Sequence, residues 1–191
     1  MSPDTDRLLA FWFADGPETW RQAWFVKDAG FDEACRAGFG SLVVPARDGA
    51  LDGWAETPKG ALALMLLLDQ FPRNLFRGSA EAFVADAHAR AVARRVVLRD
   101  RLDLALTPVE RLFLYLPFEH GEAMEDQDLC VALCEGMRDI PAMRAPGAII
   151  DYAWRHRAVI QRFGRFPHRN AALGRTSTPA EQAWLDAGGG F

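Results

Sequence analysis

Apolar residues recur along this chain at intervals of three and four, and almost nowhere at intervals of two. That period marks amphipathic helices. It predicts helices over 5–14, 18–27, 31–48, 58–70, 80–99, 108–115, 122–138, 147–163 and 179–186. Strand signals are missing: no Asn-Gly or Asp-Gly turn separates alternating β-branched runs, and Val43-Val44 is short and followed by Pro45. The helix over 58–70 reads Ala-Leu-Ala-Leu-Met-Leu-Leu-Leu through its middle, apolar all round, so it is expected to be buried on every side. Its expected partners are Phe11, Trp12, Phe13, Trp20, Trp24 and Phe25. Large aromatics at that density are assigned to packing.

The helix starts are explicit. Thr57-Pro58, Thr107-Pro108 and Thr178-Pro179 each put Thr at the N-cap and Pro at the first helical position. Glu110 and Glu181, three residues after their Thr, complete capping boxes. Ser79 after Gly78 is a fourth cap. Pro72 disfavours the α conformation at Phe71, so the buried helix is expected to stop there. Pro117 is expected to place Glu119 and His120 in the turn that opens the next helix, with Glu119 or Glu122 meeting its first amides. Short polar or Pro/Gly connections favour antiparallel helical hairpins. Residues 1–191 are read as a single all-α domain, with 186–191, ending in Gly-Gly-Gly-Phe, expected to fray.

Composition narrows the class. Half the residues are hydrophobic and a quarter charged, as in ordinary globular chains. The longest apolar run, Ala61 to Leu68, falls far short of the roughly 20 residues that span a bilayer. Two Asp precede the first apolar patch, where a secretory signal would carry a basic start, so a cytoplasmic protein is expected. Cys35, Cys130 and Cys134 make no disulfide framework. Cys130 and Cys134 share a helix face and read as two small buried hydrophobes.

A net charge of −4 argues against nucleic acid as a general partner, but the charge is segregated. Residues 119–139 hold seven carboxylates and one Arg, whereas 152–175 hold six Arg, two His and no carboxylate. Either the two segments meet in the fold, or the basic one faces an anionic ligand.

Several blocks are long and idiosyncratic: Trp24-Phe25 followed by Phe31-Asp32, Leu-Leu-Leu-Asp-Gln-Phe-Pro-Arg-Asn over 66–74, and Leu-Pro-Phe-Glu-His-Gly-Glu over 116–122. Arg-Phe-Gly-Arg-Phe-Pro-His-Arg-Asn over 162–170 and Gly-Arg-Thr-Ser-Thr-Pro-Ala-Glu-Gln-Ala-Trp-Leu over 174–185 complete the set. In these blocks the chain resembles the bacterial family catalogued as domain of unknown function 924, an all-α family grouped with tetratricopeptide-like helical repeats. The resemblance implies a curved stack of helical pairs and implies no activity. The tetratricopeptide 34-residue consensus itself is not visible.

The same blocks supply the candidate site. Asp69 sits in the last turn of the buried helix, at the negative end of its dipole, and needs a cation from Arg73, Arg165, Arg169 or His168. Phe-Pro followed by basic residues and Asn occurs twice, giving Arg73 and Asn74 in one block and His168, Arg169 and Asn170 in the other. Arg165 precedes the second block; Glu119 and His120 belong to the third. His156 lies in the apolar stripe Ile149, Tyr152, His156, Val159, Ile160 and Phe163.

Three readings stay open: a buried polar network that fixes helix ends, a groove binding an anionic small molecule or peptide through Arg and His, and an enzyme with a His–carboxylate acid/base pair. A further functional option is an interaction scaffold whose concave face docks a partner protein. No nucleophile elbow or phosphate-binding loop is present, and the His residues lack metal-ligand spacing, so no catalytic residue, metal or cofactor is assigned.

Overall fold

A computed structural model describes residues 2–191, and every regular element among them is helical. The chain forms two compact units. The first takes the residues up to Arg77 with Glu81–Pro117, and the second takes Gly78–Ala80 with Phe118–Phe191.

In the first unit, α1 (Pro3–Trp12) opens on Ser2, whose hydroxyl accepts the Asp4 amide at 3.3 Å. Helix α2 (Ala29–Arg47) opens on Asp28, which accepts the Gly30 and Phe31 amides at 2.8 and 3.0 Å. Helix α3 (Pro58–Met65) is capped by Thr57 as expected, and it is buried from Gly60 onward. Gly60 is required by close approach: a Cβ there would stand 2.1 Å from the Trp54 carbonyl oxygen. Around α3 the fully buried Trp12 meets Phe71 at 5.4 Å and Phe113 at 5.7 Å, and Trp24 stacks on it at 6.2 Å.

Two expectations fail here for local reasons. The segment 18–27 forms only a 3₁₀ turn, Gln22–Trp24. Its side chains instead close the end of α1, with Arg21 Nη1 and Trp24 Nε1 donating to the Trp12 carbonyl at 2.8 and 3.0 Å. Trp20 and Phe25, assigned to the core, are about half exposed and stack on each other at 5.0 Å. The second failure is the stop at Phe71. Residues Leu66–Gln70 form a π turn, the Phe71 amide reaches the Leu66 carbonyl, and Phe71 keeps helical angles of −57° and −42°. A π turn shifts the hydrogen-bond register by one residue. Helix α4 (Phe71–Leu75) therefore restarts with Pro72 in its first turn, where a missing N–H breaks no bond. A second π turn, Arg94–Arg99, follows α5 (Asp86–Ala93).

Helix α6 runs Pro108–Glu119, straight through Pro117, so Glu119 ends a helix rather than opening one. Thr107 and Glu110 close the expected capping box at 3.3 and 3.1 Å. In the second unit α7 (Met124–Glu135) packs against α8 (Ile149–Phe163), which Gly164 ends in the left-handed conformation at φ 71°. Helix α9 (Pro179–Asp186) starts from the complete Thr178/Glu181 box. Cys130 and Cys134 are buried, with their sulfurs 4.0 Å apart.

Candidate functional site

The candidate residues fall into two clusters, one in each unit. In the first, Asp69 is 1% exposed and meets a cation as expected, namely Arg73 at 3.3 Å. Arg73 also donates to the Asp69 carbonyl at 2.7 Å and grips Asp86 with both terminal nitrogens at 3.0 Å. Gln70 donates to the other Asp69 oxygen at 2.7 Å. Asn74 donates to Asp32 at 2.8 Å, and Arg77 holds the same carboxylate at 2.6 and 2.8 Å. Thus the first Phe-Pro-Arg-Asn block ties α4 to α2 and α5. Arg73 is needed because desolvation of two carboxylates is tolerable only beside a cation.

The second block does comparable work in the second unit. Arg169 donates to the His120 carbonyl at 3.0 Å. Asn170 donates to the Ser177 hydroxyl at 3.1 Å and accepts from Arg175 Nε at 2.9 Å. Arg165 grips Glu181 at 2.6 and 2.7 Å, and Arg175 grips Glu122 at 2.7 and 3.0 Å. Glu122 also accepts the Phe166 amide at 2.8 Å. The acidic and basic segments therefore meet, as their segregation suggested. The N-cap of α7 is Ala123, which makes no side-chain cap bond, and Glu122 is engaged instead by Arg175 and the Phe166 amide. Glu122, Arg175 and Glu181 escaped selection. Glu181 was already placed by its capping box, and nothing in the sequence marked it for a second role.

What remains is a histidine-rich patch around one buried ring. Phe166 is fully buried. Its centroid lies 5.6 Å from that of His156 and 5.5 Å from that of His168, and the Arg169 guanidinium carbon stands 4.6 Å from it. His120 is 6.3 Å from His156, ring to ring. His156 is buried, His120 half-buried and His168 exposed.

His156 Nδ1 is 2.9 Å from the Tyr152 carbonyl and 3.4 Å from Glu119 Oε1. Burial pushes the His156 pKa down to about 3, with help from His120, Arg169 and His168 and against the Tyr152 carbonyl. The Glu119 distance would suit an ion pair, but the desolvated imidazole is neutral at physiological pH. With Nδ1 held as the donor to Tyr152, Nε2 is the lone-pair nitrogen. His168 is also lowered, to about 4, through desolvation and then Arg169. It is exposed, so solvent screening makes that shift the less weighty of the two.

The segment 186–191, expected to fray, lays Phe191 over His156 with 3.6 Å between centroids. Beside it lies a groove of about 430 Å³ lined by Arg155, Val159, Trp184 and the glycines 188–190. Among the described residues no group of His, Cys, Asp and Glu is arranged to hold a metal ion, and no helix is long and apolar enough to cross a membrane.

An all-helical fold and these motif blocks define a family. The model of a bacterial protein family of unknown function, DUF924, matches residues 8–189, and the chain belongs to that family. A solved protein of unknown function from Agrobacterium tumefaciens is 38% identical, with a TM-score of 0.83 over 96% of this chain and 97% of its own. No curated protein matches the chain.

Proposed function

We propose that this protein is a cytoplasmic binding module whose ligand is a small anionic molecule or an acidic peptide group, taken up at the histidine patch of the second unit. One observation carries the reading: His156, His168 and Arg169 surround the buried ring of Phe166. The Arg169 guanidinium and the exposed His168 imidazole carry N–H donors that suit carboxylate and phosphate oxygens, while His156, whose Nδ1–H goes to the Tyr152 carbonyl, offers its ring face. The other arginines first considered support it less by their place: Arg73 belongs to the first unit, and Arg165 is turned to Glu181 at the start of α9. Asp69, Arg73, Asn74, Arg165 and Asn170 are accordingly read as structural. His120, His156, His168 and Arg169 are kept for the ligand, and Glu119, a carboxylate that an anion would avoid, for the second reading below. We assign no nucleic-acid partner, in keeping with the net charge of −4.

The Glu119–His156 pair favours a second reading, an acid/base enzyme, because a carboxylate near Nδ1 helps orient an imidazole. An imidazole with a pKa near 3 is a weak base at neutral pH, however, and that ranks binding above catalysis. Thermal scans against carboxylates and phosphates, with chloride at matched ionic strength, test the proposal. At a hundred times its dissociation constant, a ligand stabilises the fold by about 2.7 kcal/mol. If no anion moves the midpoint beyond the chloride control, the patch is structural.

A further inference from the structure

The ring seated against the histidine patch belongs to Phe191. It lies nearly parallel to His156, 3.6 Å away with 13° between planes. His168 meets it at 5.8 Å and 81°, Phe166 at 6.2 Å and 89°, and Tyr152 stands 6.5 Å off. One stacked face and two perpendicular neighbours satisfy an aromatic quadrupole well. The seat is nevertheless open to solvent, since Phe191 keeps 51% of its surface exposed.

The ring arrives there on glycines. Gly188 and Gly190 hold φ of 83° and 150°, angles that residues with a Cβ rarely adopt. Gly189 fits close against Trp184, where a Cβ would come within 2.3 Å of the indole. Phe191 therefore forms a wall between the histidine patch on one side and the 430 Å³ groove on the other. A cation stands in that groove: Arg155, with its guanidinium carbon 5.4 Å from the Tyr152 ring and its Nη2 on Asp151 at 2.7 Å.

We propose that Tyr152, His156, Phe166 and His168 form a binding site for a planar aromatic ring bearing a carboxylate, and that Phe191 is an internal stand-in for that ring. The inference rests on reading the histidine patch as the ligand site, and it names the ligand class. The incoming ring takes the stack on His156. Its acid group is met from the patch by Arg169 and from the groove by Arg155. Binding requires Phe191 to leave, so the resident ring lowers the apparent affinity in proportion to the time it spends seated. A seat occupied nine-tenths of the time costs about tenfold.

Phenylacetate is the probe, with acetate lacking the ring and cyclohexylacetate lacking its flatness. NMR titrations compare the parent with Phe191→Ala and Phe191→Leu, each first checked for a native circular dichroism spectrum. Phe191→Leu keeps an apolar side chain should the alanine variant fold poorly. The expected result is that phenylacetate binds the variants about tenfold tighter than the parent. In both variants it should bind ahead of the other two acids and shift the His156 imidazole protons upfield by stacking. Equal phenylacetate affinity in parent and variants overturns the stand-in. Phenylacetate no tighter than acetate in the variants overturns the aromatic specificity and leaves the anion reading in place. If no acid binds any of the three proteins, this inference falls, and the phosphate arm of the thermal scans decides the anion reading by itself.

Discussion

Glu119 Oε1 lies 3.4 Å from His156 Nδ1, and both residues are at most 5% exposed. The pairing depends on a proton that burial keeps off the imidazole. The folded pKa near 3 lies below the ordinary 6.5, so the unfolded chain binds the proton more readily. Stability from this group is therefore complete above about pH 6.5 and is lost as pH falls toward 3. Between pH 6.5 and pH 5 the loss should be about 2 kcal/mol, at about 1.4 kcal/mol per unit. Glu119, His120, Arg169 and His168 face the same ring, and the three cationic or titratable neighbours reinforce the sign. An NMR titration of the His156 Hε1 signal checks the cause directly. It should stay flat from pH 8 to pH 5, and a midpoint above 6 contradicts the assignment.

Asp69→Asn should destabilise the protein by about 3 kcal/mol, the low end of the cost of breaking a buried ion pair. The low end applies because Arg73 still holds Asp86 through two bonds at 3.0 Å. Urea unfolding at pH 7 measures it. An unchanged midpoint would mean that Asp69 contributes nothing as a charge.

Removing a cap separates local from tertiary effects. Thr107→Ala removes the hydroxyl that accepts the Glu110 amide at 3.3 Å, and it should cost about 1 kcal/mol. The same hydroxyl donates to the Pro17 carbonyl at 2.7 Å, so Thr107→Ser, which keeps both bonds, should recover most of the loss. A serine variant as weak as alanine would place the effect in the methyl group.

The features legible in the sequence are those encoded within a few residues. Thr57, Thr107 and Thr178 are legible as caps because a proline follows each directly, and the box glutamates Glu110 and Glu181 sit within the same turn as Thr107 and Thr178. The burial of α3 was legible because from Gly60 onward no face of it is polar. Backbone irregularity was not: Pro72 and Pro117 looked like helix stops, yet a π turn absorbs the first and α6 passes through the second. The need of Asp69 for a cation was legible, and Arg73, four residues on and one helical turn away, is the one of the four expected candidates that meets it. The bonds from Arg165 and Arg175 to Glu181 and Glu122 span up to 53 residues, and only charge segregation hinted at them. Phe191 carried no signal, since a lone aromatic after three glycines has no period to place it.

Binding at the histidine patch is the central claim, and the imidazole spectrum of the parent protein tests it most directly. Histidine-detected NMR with added phosphate or acetate should move the His168 and His156 signals together along one saturable curve and leave His88 still. His88 serves as the internal control because it belongs to the first unit, bonded to the Arg47 carbonyl and to Asp52. His168→Ala, at an exposed position, should weaken the response of His156 without loss of fold. Shifts that never saturate, or that move His88 as much as His156, would contradict the account and leave the patch as part of the framework that joins Glu119 and His120, α8 and the Phe-Pro-His-Arg-Asn turn.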